Sequence, residues 1–231
     1  MDDGGLWNVG HYTGFNPTYY TRVAWPMLQV AHILEDALVR EKAILALDTL
    51  VERRNENGTF WGWGFKKDKP AFTHTIAYTM RGFLEASIVL DDWERYGAKV
   101  EMTLDKFFKL AELNNGRLAG SYDLEWNPAD FYTCLTGNVQ IALCLTRWYE
   151  RNGELQLLNA ASKLIDFVNG TQCTNAPVKS LNGAVAGSSP LWGRYMMGRY
   201  PNWAAKFHAD ALMLFLKLSK KKEKAWRAAV L

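Results

Sequence analysis

Apolar residues recur nearly all round four segments of the chain: about Tyr19 to Glu35, Thr73 to Leu90, Leu135 to Tyr149 and Trp203 to Leu218. That pattern predicts helices packed on both sides. Each is followed by a more amphipathic segment: about Asp36 to Arg54, Gly97 to Leu113, Glu154 to Asn169 and Lys220 to Leu231. Charged residues recur on one face of these, as at Glu41, Asp48 and Glu52, which predicts an outer layer. Pro201 fits the start of the fourth inner helix. Pro26 lies one turn into the first or marks its late start. Gly97 and Gly153 read as the points where inner helices end and the chain turns outward.

Between the helix pairs a five-residue phrase returns four times: Asn or Asp, Gly, any residue, an apolar residue, then Trp or Ala. Its copies are Asp3-Gly4-Gly5-Leu6-Trp7, Asn57-Gly58-Thr59-Phe60-Trp61, Asn115-Gly116-Arg117-Leu118-Ala119 and Asn182-Gly183-Ala184-Val185-Ala186, at intervals of 54, 58 and 67 residues. A fixed loop punctuating pairs of helices marks a repeat architecture. The expectation is an all-α protein, an α/α toroid of four inner and four outer helices forming a single domain over residues 1–231. No outer helix precedes the first phrase. The ring is therefore small, or open, or closed by a second copy or a missing N-terminal segment, and an apolar edge should be exposed at Val23, Met27 and Val30.

Composition narrows the partners more than the chemistry. The 48% of hydrophobic residues and the length of 231 suit a globular core. The net charge of +3 is mixed in sign. The one basic run, Lys217 to Lys224, reads as a solvated helix end, so no nucleic-acid partner is expected. No stretch approaches the ~18 apolar residues of a transmembrane span. The start, Met1-Asp2-Asp3-Gly4, lacks the apolar core of a secretory leader. Cys134, Cys144 and Cys173 match no metal spacing and read as free thiols in a reducing, cytoplasmic setting. Ten Trp, ten Tyr and eleven Phe serve as glue between hairpins, as a stacking surface for sugar rings, or as the lining of a lipid pocket.

The loop phrase resembles the QW-type loops of terpene cyclases and protein prenyltransferases, which are α/α toroids. The strings Tyr20-Thr21-Arg22-Val23-Ala24-Trp25, Thr73-His74-Thr75-Ile76-Ala77-Tyr78, Cys134-Leu135-Thr136-Gly137-Asn138 and Tyr200-Pro201-Asn202-Trp203-Ala204-Ala205-Lys206 resemble something narrower. They are similar to bacterial and archaeal prenyltransferase/squalene-oxidase repeat proteins, often encoded near polysaccharide-synthesis genes. The resemblance runs from about Asp3 to Leu216 and implies the toroid fold. The Asp-x-Asp-Asp acid of class II terpene cyclases is absent. The nearest string, Leu90-Asp91-Asp92-Trp93, falls in a turn between an inner and an outer helix. No Cys–His pair suits the zinc site of protein prenyltransferases. Neither a metal nor a cofactor is expected.

The polar residues of the inner helices gather at their N-termini, where unsatisfied N–H groups favour anions. Alignment of the repeats sets Arg22, Thr75, Asn138 and Trp203 at one level, and Trp25, Tyr78, Ile141 and Lys206 one turn deeper. His74 and Tyr78 are the candidate catalytic pair, exchanging a proton at carbon. Arg22, Asn138, Asn202 and Lys206 are candidate substrate ligands, with Arg22 and Lys206 neutralising a carboxylate. Trp61, Trp192 and Trp203 would stack on a sugar ring. Each also has a structural reading: a helix-start bond for His74, core packing for Tyr78, a loop ion pair for Arg22, a buried ion pair for Lys206. His208 and Asp210 point elsewhere and read as structural. Asp123, Glu125 and Asp130 precede the third inner helix and could supply paired carboxylates. The Gly- and aromatic-rich loop from Gly187 to Tyr200 reads as a cover. The expectation is a protein acting on an acidic sugar, glycan or lipid-linked sugar, as an epimerase or lyase. The alternatives are an isoprenoid-handling, cyclase-like protein and a non-catalytic glycan-binding scaffold.

Overall fold

The computed structural model describes Gly4, Trp7 and residues 15–230, with the backbone alone for 221–230. The first loop phrase, apart from Gly4 and Trp7, lies outside the described residues. Seven α-helices account for most of the structure: α1 (Thr21–Leu34), α2 (Ala37–Val51), α3 (Thr73–Leu90), α4 (Trp93–Leu113), α5 (Leu135–Asn152), α6 (Leu155–Asn169) and α7 (Asn202–Val230). The chain divides into two compact units. The first holds Met1–Lys106 with Ser121–Asp130, the second Phe107–Gly120 with Phe131–Leu231.

Three hairpin turns follow from local chemistry. α1 ends on Glu35 in the left-handed region (φ 55°), and the Asp36 carboxylate accepts the Val39 N–H at 3.0 Å to start α2. α3 ends on left-handed Asp91 (φ 51°), and Asp92 accepts the Arg95 N–H at 3.1 Å to start α4. The Asp-Asp pair is thus a C-cap followed by an N-cap. α5 ends on Gly153 (φ 75°), and the Asn152 side chain accepts the Glu154 N–H at 3.0 Å. Gly97 ends no helix. It sits inside α4, where a Cβ would meet the Trp93 ring at 2.5 Å. The expected break between a fourth inner and a fourth outer helix is also absent. From Leu218 to Lys224 no Gly, Pro or capping Asn or Asp interrupts the run, and α7 continues through it.

The loop phrase is one physical device in its three described copies. Gly58, Gly116 and Gly183 carry nearly the same left-handed φ, 84°, 80° and 81°. The apolar fourth residue is buried each time, at Phe60, Leu118 and Val185. Short antiparallel ladders, unforeseen in an all-α reading, obey the same repeat. β1 (Ala71–Phe72) leads into α3 and pairs with β2 (Ser121–Tyr122), which begins six residues after Asn115. β3 (Thr133–Cys134) leads into α5 and pairs with β4 (Ser188–Ser189), which begins six residues after Asn182.

In the first unit α1 packs on α2 and α3. Gly82 permits the close approach of α1 to α3: a Cβ there would lie 2.3 Å from that of Thr21, whose hydroxyl donates to the Tyr78 carbonyl at 3.0 Å. α3 is buried along almost its whole length, as an inner helix should be. α1 buries one face only, and its other face exposes Val23, Val30, Ile33 and Leu34, with Met27 half-buried. In the second unit α5 packs on α6 and α7 and is buried from Leu135 to Thr146. α7 departs from the two-sided packing expected of it, with Met213 and Leu216 exposed.

Candidate functional site

In the first unit the α1 and α3 N-termini bring three expected residues together. The Arg22 guanidinium lies 3.9 Å from the Tyr78 ring centroid, and the His74 ring meets Tyr78 edge-on at 5.5 Å. Phe65 and Phe72 pack on His74 at 5.4 and 5.6 Å. His74 is 2% exposed in this aromatic box. Burial, reinforced by the charge of Arg22, pushes its imidazole down to about 3. A base that weak is poorly matched to proton exchange near neutrality. The box reads as a cation–π contact of Arg22 on Tyr78 beside a neutral, closed-in histidine.

This state has a measurable consequence. The unfolded chain protonates His74 below about 6.5, the folded chain only near 3. Stability should therefore fall as pH drops through that window, by up to about 1.4 kcal/mol per pH unit from this group, and be insensitive to it above. His208, also lowered by burial, adds a slope of the same sign. Urea titrations across that range should show a shallower slope for His74→Asn than for the parent. Equal slopes would mean that His74 is not held neutral.

The second unit gives its expected residues other work. Asn138 is fully buried and spends its amide on backbone. It donates to the Gly116 and Leu164 carbonyls, both at 2.9 Å, and accepts the Leu118 N–H at 3.3 Å. It braces the third loop phrase, and a ligand would have to displace those bonds. Lys206 is exposed rather than buried, and pairs with Asp210 one turn on at 2.5 Å. Asp210 therefore shares its face, contrary to the sequence reading. His208 is buried against Asn169 at 2.8 Å. Asn202 opens α7 in an exposed position. Trp203 donates to the Tyr195 hydroxyl at 2.9 Å, and Trp192 is 67% exposed. The loop carrying Trp192 is closed at its base by the Gly187 N–H donating to Arg199 O at 3.0 Å.

The strand–helix junctions also shift the repeat register. Phe72 and Cys134 are the residues before their helices. Thr136 and Gln140, not Gly137 and Ile141, thus stand where α3 has His74 and Tyr78. Both are fully buried, and Thr136 Oγ1 and Gln140 Oε1 have no protein hydrogen-bond partner. The alignment that pairs Thr75 with Asn138 is therefore one residue out of register with the helix starts.

An open cavity of the first unit lies elsewhere, beside the second loop phrase. It holds about 250 Å³ and is walled by Trp61 through Gly64, Lys66 through Ala71, and Tyr122 through Glu125. Trp61, 37% exposed, makes a T-shaped contact with Phe15 at 5.8 Å, and the Arg53 guanidinium and Lys67 ammonium lie over its ring, 5.3 and 5.5 Å from the centroid. Its carbonyl accepts the Thr18 hydroxyl at 2.5 Å. Trp63 is buried beneath, edge-on to Trp126 at 5.6 Å. Asp123 forms the opposite turn. It accepts the Glu125 and Asn127 N–H groups at 3.0 and 2.8 Å and the Asn127 side-chain amide at 3.0 Å. Burial pulls its carboxyl up, and these bonds together overcome that pull and hold it below its ordinary value. Asp130 accepts the Ser121 hydroxyl and is not on the cavity wall.

Of the expected substrate ligands only Trp61 lines this cavity, and of the candidate carboxylates Asp123 and Glu125 do. Lys66, Lys67, Lys69, Trp63 and Tyr122 were missed. The signal for the lysines and Trp63 was the string Trp61-Gly62-Trp63-Gly64-Phe65-Lys66-Lys67-Asp68-Lys69, which mixes aromatic and basic residues and has no counterpart in the other repeats. Among the described residues no His, Cys, Asp and Glu side chains gather into a set that would hold a metal ion, and no helix is long and apolar enough to cross a membrane. No family model matches the chain, and neither a curated protein nor a solved structure does.

Proposed function

We propose that the chain is an α/α toroid protein that binds an acidic sugar or glycan in the cavity beside Trp61. The toroid reading is supported by the recurrence of the Gly58, Gly116 and Gly183 turn and of the six-residue offset to each ladder. The observation that carries the function is the cavity wall itself. An exposed indole beside three ammonium groups offers an apolar face for a sugar ring and cations for its carboxylate. A lipid pocket would be lined almost wholly by apolar groups. The closed box around His74 favours recognition over an epimerase or lyase step at that residue.

The test is calorimetry with a glucuronate-bearing oligosaccharide and its uncharged glucose counterpart. The acidic ligand should bind at least ~10-fold more tightly, a difference of about 1.4 kcal/mol. The paired substitution Lys66→Met and Lys69→Met should remove most of that preference. Equal affinity for both ligands in the parent protein would overturn the assignment.

A further inference from the structure

The cavity beside Trp61 carries charges of both signs that are not spent on one another. Lys66 and Lys69 line it, and so do Asp68 and Glu125. None of these four side chains makes an ion pair or hydrogen bond among the described residues. Asp123, by contrast, is consumed by its turn, through its bonds to Glu125 and Asn127. That turn fixes the backbone on which Glu125 stands, so Glu125 lines the cavity from a braced loop.

A ligand carrying only negative charge would be drawn by the lysines and opposed by Asp68 and Glu125. A ligand carrying only positive charge meets the reverse. Both sets are satisfied together by a ligand with a carboxylate and an ammonium group. The space of about 250 Å³ falls below the ~300–1,000 Å³ of drug-sized sites, which suits one sugar ring seated against Trp61 with the linked ring at the open rim, where Lys66, Asp68, Lys69 and Glu125 are all exposed. We propose that the Trp61 cavity takes a zwitterionic sugar unit, a uronate joined to a hexosamine whose amine is not acetylated. Trp61 stacks on the ring, Lys66 and Lys69 hold the carboxylate, and Glu125 with Asp68 holds the ammonium.

This rests on the acidic-sugar reading and is separable from it. The probes are two disaccharides of glucuronate and glucosamine, identical except that one amine is free and the other acetylated. Near neutral pH the free-amine form should bind the full chain ~10-fold more tightly. Glu125→Gln should bring the ratio of the two affinities close to one, with affinity for the acetylated form unchanged or improved. Glu125 is exposed and makes no side-chain bond, so its melting temperature should hold. Equal affinity for the two disaccharides overturns the zwitterion and leaves the acidic-sugar reading standing. A preference that survives in Glu125→Gln overturns the role of that wall. Binding of neither disaccharide sinks both readings.

Discussion

Replacing Gly116 with alanine should destabilise the chain by roughly 3 kcal/mol or more, a large share of the ~5–15 kcal/mol that holds a domain folded. Two effects add. Gly116 has φ 80°, where an L side chain costs about 1–2 kcal/mol. A Cβ would also lie 2.1 Å from the Lys163 carbonyl oxygen, backbone that cannot rotate away. Gly116 is pinned besides, since its N–H donates to Ala111 O and its carbonyl accepts from Asn138. Gly183 supplies the control. It shares the turn, with φ 81°, but a Cβ there meets nothing within 4 Å. Gly183→Ala should cost only the backbone strain, about 1–2 kcal/mol. Urea denaturation of the two variants separates the clash from the backbone strain. Similar losses would mean that the third loop does not lie against α6 as described.

Replacing Trp61 with alanine should have the largest effect on binding, weakening an acidic oligosaccharide by about 10- to 100-fold, or ~1.4–2.8 kcal/mol. Trp61→Phe, which keeps an aromatic face, should recover part of the loss. Trp61 is partly exposed and packs against Phe15, with the Arg53 guanidinium over its ring, so a modest drop in melting temperature is expected alongside. Unchanged affinity in Trp61→Ala would remove the cavity from consideration.

Much of the fold was legible because it rests on local chemistry. The Asn-Gly phrases encode a left-handed turn and a buried apolar anchor. The pairs Glu35-Asp36, Asp91-Asp92 and Asn152-Gly153 encode a stop and a restart. The long apolar segments at α3 and α5 are buried as their composition implies. What failed was not local. The ladders β1–β2 and β3–β4 are two residues long, and their pairing is set by where distant loops meet. Gly97 read as a breaker because nothing in the sequence says that Trp93 packs over it. The uninterrupted run after Leu218 was divided in two by analogy with the other repeats, although it holds no breaker.

The site was less legible for a related reason. Repeat alignment directs attention to positions shared by every copy, and such positions tend to hold the repeats together. Asn138 does this through its bonds to Gly116, Leu118 and Leu164. The cavity-lining lysines belong to one copy only, and alignment passes over them. Trp61 was found because it ends a loop phrase, and the residues that give it company follow directly in the chain.

On the proposal above, the second loop phrase and the loop after it form the binding surface. The direct measurement is a titration of the ¹⁵N-labelled chain with a glucuronate-bearing disaccharide, followed by amide and indole NMR shifts. Saturable shifts are expected at the Trp61 and Trp63 indoles and along residues 61–71 and 122–125, with the amides of α5 and α7 unmoved. Saturable shifts centred instead on Arg22, His74 and Tyr78, or none in the 61–71 loop, would contradict it.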